Sequence, residues 1–182
     1  MAAEIEIEID DPSLIVLVGA AGAGKSTFAA RHFAADEILS SDRFRAIVSG
    51  DEANQAATKA AFVLLHRTLA VRLAERRVTV VDATSVRQTA RRALIALADA
   101  AGIPATAIVL DLRPATVIAR NAARPARTVD MAVVRSQLAD VRTALHGASP
   151  PLAGEGFRRV IVLRDDEVDR VSIRRRRTRE TP

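Results

Sequence analysis

A run of five apolar residues, Leu14-Ile-Val-Leu-Val18, leads directly into Gly19-Ala-Ala-Gly-Ala-Gly24-Lys25-Ser26. The first segment has the continuous apolar character of a strand buried on both faces of a parallel sheet. The second fits G-x-x-x-x-G-K-[ST] at every fixed position, in the strand-then-helix setting that the pattern requires. Its glycines let the backbone turn so that successive N–H groups point inward, and the following helix N-terminus adds partial positive charge. The pattern predicts that Gly19, Ala20, Ala21, Gly22, Ala23, Gly24, Lys25, Ser26 and Thr27 surround nucleotide phosphates. Lys25 is expected at the β- and γ-phosphates and the Ser26 hydroxyl on Mg²⁺.

The rest of the chain repeats the alternation of strand and helix. Further strands are expected at residues 38–40, 78–81, 106–110 and 158–163, and a short exposed one where Ile5, Ile7 and Ile9 alternate with acids. Helices are expected at residues 25–33, 54–76, 87–101, 114–123 and 131–146. Phe62, Leu65, Leu69 and Leu73 recur on one face of the second. Pro114 suits a first helical position, and Gly102 and Gly147 suit helix ends. This order predicts an α/β fold with a mainly parallel five-stranded sheet, helices on both faces and ligands beyond the carboxyl ends of the strands.

With 182 residues and 49% apolar content, one ordered domain is expected over residues 1–170. The absence of cysteine excludes disulfides and thiolate metal sites and favours a cytoplasmic location. No apolar stretch approaches the roughly 18–20 residues that span a bilayer. The net charge of +5 suits an anionic partner. Residues 171–182, with Arg174-Arg-Arg-Arg177 and Arg179, are expected to be a basic tail or linker.

Beyond the phosphate loop, three groups carry candidate chemistry, two of them at strand ends. Asp42, in Ser40-Ser41-Asp42-Arg43-Phe44-Arg45, is placed to accept the proton of an attacking hydroxyl, to cap a helix, or to do both. Arg45, one helical turn on, suits a phosphate on the acceptor. Asp82 ends an apolar strand, a position that suits Mg²⁺, directly or through water. Arg120, Arg124 and Arg127 follow at spacings of four and three, with Pro125 breaking the helix between them. Arg120 is expected at a helix end, and Arg124 and Arg127 on a lid that neutralises phosphate charge. His32, His66 and His146 have no metal-like spacing, and Asp111 is read as a strand-end residue.

In order along the chain come Gly-x4-Gly-Lys-Ser-Thr-Phe-Ala at residues 19–29, Ile38-Leu-Ser-Ser-Asp-x-x-Arg45 and Val48-Ser-Gly-Asp-Glu-Ala-Asn-Gln55. They are followed by Ala60-Ala-Phe-Val-Leu-Leu-His66, Arg72-Leu, Val78-Thr-Val-Val-Asp-Ala-Thr84, Ala90-Arg91, Arg120-Asn-x-x-Arg-x-x-Arg127 and Glu155-Gly-Phe-Arg158. This series resembles the kinase domain of bacterial polynucleotide kinase-phosphatase, an RNA end-healing enzyme. The resemblance implies a P-loop kinase fold with a helical lid. It also implies transfer of the γ-phosphate of ATP or another nucleoside triphosphate, with Mg²⁺, to the 5′-hydroxyl end of RNA or DNA.

By the same resemblance Asp42 is the general base, Arg45 and Gln55 bind the acceptor side, and Arg120 and Arg124 act on the ATP phosphates. Phosphatase and ligase domains are expected in a longer natural chain, with a standalone kinase as the alternative. Three positions depart from the family pattern. Ser85 stands where the family has Asn, Gly50 opens a thinned acidic stretch, and Ala126 replaces an Asp before the last lid arginine. A small-molecule or toxin-type kinase built on the same loop is the competing reading, and an ATP-gated nucleic-acid-binding module is a third.

Overall fold

The computed structural model describes residues 4–124, 128–147 and 151–177. Its centre is a five-stranded parallel sheet of β2 (Leu14–Val18), β3 (Ile38–Ser40), β4 (Thr79–Asp82), β5 (Ala105–Leu110) and β6 (Arg159–Leu163), in the spatial order β3-β4-β2-β5-β6. The strand before the phosphate loop is thus the central one, and all five of its residues are buried. Leu14, Val16 and Val18 pack into one core, while Ile15 and Leu17 pack into the other on the opposite face. That division explains the uninterrupted apolar run, because alternate side chains of a strand face opposite ways.

Helices α2 (Ser41–Ser49), α3 (Thr58–Ala74) and α4 (Gln88–Ala100) fill the first core with Phe44, with Leu65, Leu69 and Leu73, and with Leu94, Ile95 and Ala98. On the other face α1 (Lys25–His32) contributes Phe28 and α5 (Pro114–Ala122) contributes Val117. Helix α6 (Met131–His146) spans both, with Val141 in the first core and Val134 in the second. Each large apolar side chain buried in this way contributes roughly 1.5–3 kcal/mol. Among the described residues, no helix is long and apolar enough to cross a membrane.

Two local expectations are corrected. The helix expected over residues 54–76 begins at Thr58, because the Asn54 side chain accepts the Ala56 N–H at 3.0 Å and closes a short 3-10 turn first. Helix α2 is capped by Ser40, whose hydroxyl faces the Arg43 N–H at 3.5 Å. Asp42 therefore does not cap that helix. It lies in the first turn, where its negative charge complements the helix dipole.

The larger correction concerns the two terminal segments. Residues Ile5–Asp11 form β1 and Val171–Arg177 form β7, and the two pair in parallel from Ile5 opposite Val171 to Asp11 opposite Arg177. Ile7 and Ile9 are buried, at 4% and 1% exposure, so this strand is not the exposed one expected. Nor are residues 171–177 a solvated tail or linker. Arg174 pairs with Glu6, and Arg176 pairs with Glu8 and with the buried Asp10, the last at 2.9 Å. The acids of β1 thus pair with Arg174 and Arg176, and Glu37 pairs with Arg175 at 2.7 Å, in a stretch that looks, in sequence, like an open basic end. Arg179 lies outside the described residues.

A buried ion pair ties the first core together. Arg91 on α4 donates through Nε and Nη2 to Glu155 at 2.7 and 2.5 Å, both side chains being almost wholly buried. Its Nη1 holds the Ser85 and Val86 carbonyls at 2.9 and 2.5 Å. Ser85 sits at φ 45°, a left-handed conformation tolerated best by Gly and Asn. Removing one partner of such a pair leaves an uncompensated charge and costs about 3–5 kcal/mol, whereas replacing both with apolar residues costs less. Glu155→Ala should lose stability of that order in urea denaturation, and the Arg91→Leu/Glu155→Leu double variant should recover part of it. Additive losses in the double variant would show that the pair is not what holds these segments.

Candidate active site

Strand β2 ends in the phosphate loop, and α1 begins at Lys25. Two glycines make the turn. Gly22 has φ 89° and Gly24 has φ 94°, both in the left-handed region. Gly22 is doubly constrained, because an added Cβ would lie 2.7 Å from the Val117 carbonyl oxygen and 3.2 Å from Asn121. Helix α5 therefore packs directly on the loop.

The loop divides its labour. Ala21, Gly22, Gly24, Lys25, Ser26 and Thr27 line a cleft of about 830 Å³. Gly19 and Ala20 lie beneath it, and their carbonyl oxygens each accept a hydrogen bond from Lys25 Nζ at 2.9 Å. Ala23 is wholly buried. The Gly19 N–H donates to the Thr84 carbonyl at 3.0 Å, which joins the loop to the segment after β4.

Lys25 is 8% exposed, and burial lowers its pKa to about 8 against the opposing charge of Asp82. Asp82, at the carboxyl end of β4, is itself buried. Burial raises its pKa, while a hydrogen bond from the Ser26 hydroxyl and the nearby Lys25 charge work the other way. Ser26 and Asp82, apart in sequence, are thus brought into direct contact. Both present hard oxygen donors, and among the described residues no cluster of three or more metal-ligating side chains exists. That donor set fits Mg²⁺, which takes one or two protein oxygens and completes its shell with water and phosphate.

Across the cleft, Asp42 and Arg45 of α2 form an ion pair. Arg45 is 5% exposed, and its Nε donates to the Glu52 carbonyl at 2.8 Å. Asp42 lies close enough for its charge to act on both Lys25 and Asp82. Gln55 lines the same cleft from the turn before α3. Arg120, in the last turn of α5, places Nη1 3.5 Å from where a Gly24 Cβ would sit. Arg124 follows the helix end, and its charge reaches Lys25 and Asp82. Arg127, the third arginine of the series, lies outside the described residues.

Sequence reading missed several contributors. Gln137 of α6 accepts the Ala21 N–H at 2.8 Å. Asn121, fully buried, grips the Val129 backbone through Nδ2 at 2.8 Å and Oδ1 at 3.2 Å. Phe62 and Thr58 line the cleft beside Gln55. Phe62 reads in sequence only as part of a helix face, and Gln137 leaves no local signal, since its partner lies 116 positions away.

Solved structures of similar fold include several kinases. A presumed kinase of Chloroflexus aurantiacus is 18% identical with a TM-score of 0.61, and 85% of each chain is covered. A gluconokinase of Sinorhizobium meliloti is 16% identical with a TM-score of 0.53, and 89% of each chain is covered. A chain of the Pnkp1/Rnl/Hen1 RNA repair complex is 19% identical with a TM-score of 0.62; the match takes in 74% of this chain and 45% of that one. At such identities the likeness establishes the fold, which is the P-loop kinase fold. No curated protein matches the sequence significantly. A family model described as an AAA domain matches residues 14–147, and the chain belongs to that family.

Proposed function

We propose that the protein transfers the γ-phosphate of ATP, or of another nucleoside triphosphate, to the 5′-hydroxyl end of RNA or DNA. The observation that carries this reading is the Asp42–Arg45 ion pair, set in the cleft opposite Lys25, Ser26 and Asp82. A carboxylate at that position can take the proton of an attacking hydroxyl. The guanidinium beside it holds the carboxylate in place and offers charge to a phosphate on the acceptor strand. The likeness to part of an RNA repair chain supports a nucleic-acid acceptor. On that basis phosphatase and ligase partners, in the same natural chain or in a complex, belong to the same reading, as does a role in cytoplasmic RNA repair.

The loop N–H groups and the α1 N-terminus bind the β- and γ-phosphates, and Lys25 adds a full charge. Arg120 and Arg124 approach from the lid side and neutralise charge on the group in transfer. Ser26 and Asp82 are the residues that would hold Mg²⁺; when bound, the ion supplies charge neutralisation on the phosphates. Asp42 receives the hydroxyl proton, and Arg45 and Gln55 position the acceptor. Arg45, Arg120 and Arg124 place positive charge along the cleft for an anionic acceptor.

A neutral metabolite as acceptor is the second reading, favoured by the likeness to a gluconokinase over 89% of both chains. The two separate in one experiment. Incubated with γ-labelled ATP and Mg²⁺, the protein should label a 5′-hydroxyl oligonucleotide and leave gluconate and other sugars unlabelled. Label on a sugar and none on the oligonucleotide would overturn the polynucleotide reading.

Asp42→Asn keeps the side chain's size but cannot accept the proton. Single-turnover transfer should fall by about 10²–10⁴-fold with nucleotide affinity and melting temperature little changed. Transfer at the parent rate would move the base elsewhere, with Asp82 next to test.

The Lys25 pKa of about 8 sets a pH dependence for nucleotide affinity. Phosphate favours the charged amine and so raises its pKa in the complex. Affinity is therefore complete below about 8 and declines as pH rises through that value. Between pH 7.5 and 9.5 the parent should lose roughly tenfold in ATP affinity by titration calorimetry. Lys25→Met should bind weakly and without this dependence. A flat parent profile would mean that the amine does not lose its proton in that range.

A further inference from the structure

Helix α6 turns one face to the cleft, which Asp130 at its N-cap, Val133 and Gln137 all line. Gln137 does more than line it. Its Oε1 accepts the N–H of Ala21, the third residue of the phosphate motif, at 2.8 Å across 116 positions of sequence. With Oε1 engaged, the Nε2 group still carries two hydrogens to donate, and it has no partner among the described residues. The side chain is neutral, so it can approach a phosphate oxygen without the repulsion a carboxylate would bring.

The helix that carries Gln137 does not stand alone. Asn121 of α5 holds Val129, just ahead of α6, by two hydrogen bonds of 2.8 and 3.2 Å. Arg120, the neighbour of Asn121 on α5, lies over Gly24. A group that fixes Gln137 therefore also bears on the helix that brings Arg120 to the phosphates.

We propose, on the reading of the loop as a nucleoside triphosphate site, that Gln137 positions the γ-phosphate. Its carbonyl fastens α6 to the loop at Ala21, and its amide nitrogen donates to the third phosphate of the bound nucleotide. The lid helices thereby distinguish a triphosphate from a diphosphate.

The test compares a non-hydrolysable ATP analogue with ADP in the parent and in Gln137→Glu. The substitution keeps an oxygen for the Ala21 N–H and replaces the donor by a negative charge. Affinity for the triphosphate analogue should fall by about tenfold or more, as expected for a lost hydrogen bond to a charged group, with a clearly smaller change for ADP. Equal loss for both nucleotides, or loss for neither, would overturn the role. A second measurement uses the unmodified protein, in case the variant does not fold. Hydrogen exchange at the Ala21 amide and over residues 131–140 should slow more with the triphosphate analogue than with ADP, and equal protection by the two would overturn the proposal. Failure of the parent to bind either nucleotide would instead overturn the triphosphate reading on which it rests.

Discussion

An ammonium group taken out of water sits at the centre of this molecule. Lys25 is enclosed by the loop that carries it, and that enclosure is tolerable because every nearby element offers it something. Two loop carbonyls accept its hydrogen bonds, Asp82 supplies the opposing charge from the end of β4, and Asp42 contributes from α2. Removing such a charge from water costs several kcal/mol unless it is paired and hydrogen-bonded. The amine thus dictates where the ends of three separate strands must lie. A parallel sheet with β2 at its middle meets that demand, since it brings the carboxyl ends of β2, β3 and β4 side by side.

The same arrangement leaves the cleft asymmetric. One wall is backbone, rigid and donor-rich, where Gly22 packs against α5 too closely for any side chain. The other wall is side chain, with a buried guanidinium clamping a carboxylate. The first suits a polyanion that is the same in every reaction cycle. The second suits a group whose identity is specific to the enzyme. On the proposed reading, the choice of acceptor rests with α2 and the turn before α3.

Sequence made the backbone wall legible and only part of the other. The phosphate loop, the central strand and α6 from Met131 to His146 were readable because each depends on local pattern: glycine positions, an apolar run, a helical period closed by Gly147. Ser26 and Asp82 each read as Mg²⁺ residues from their own motifs, and the fold sets the two together. By contrast, Arg91 and Glu155 lie 64 positions apart, and nothing local announces that they meet. The grip of Gln137 on Ala21 is of the same kind. The β1–β7 ribbon was misread for a further reason. Acids alternating with isoleucine, and arginines following a short apolar stretch, each look like solvent-facing chain until they are set beside one another.

That ribbon bears on how the chain reaches its final form. Its two strands come from opposite ends of the described sequence and pair residue for residue. Closing so long a loop is unfavourable until the intervening chain has been drawn together, so the pairing follows the sheet and does not seed it. Ile7 and Ile9 have nowhere to bury until the face of β2, α1 and α5 exists to receive them. The ribbon is then a feature that only the assembled sheet can carry. A nascent or damaged molecule whose central sheet has not formed displays a run of acids and a run of arginines far apart, and a completed one sets the two side by side at its surface.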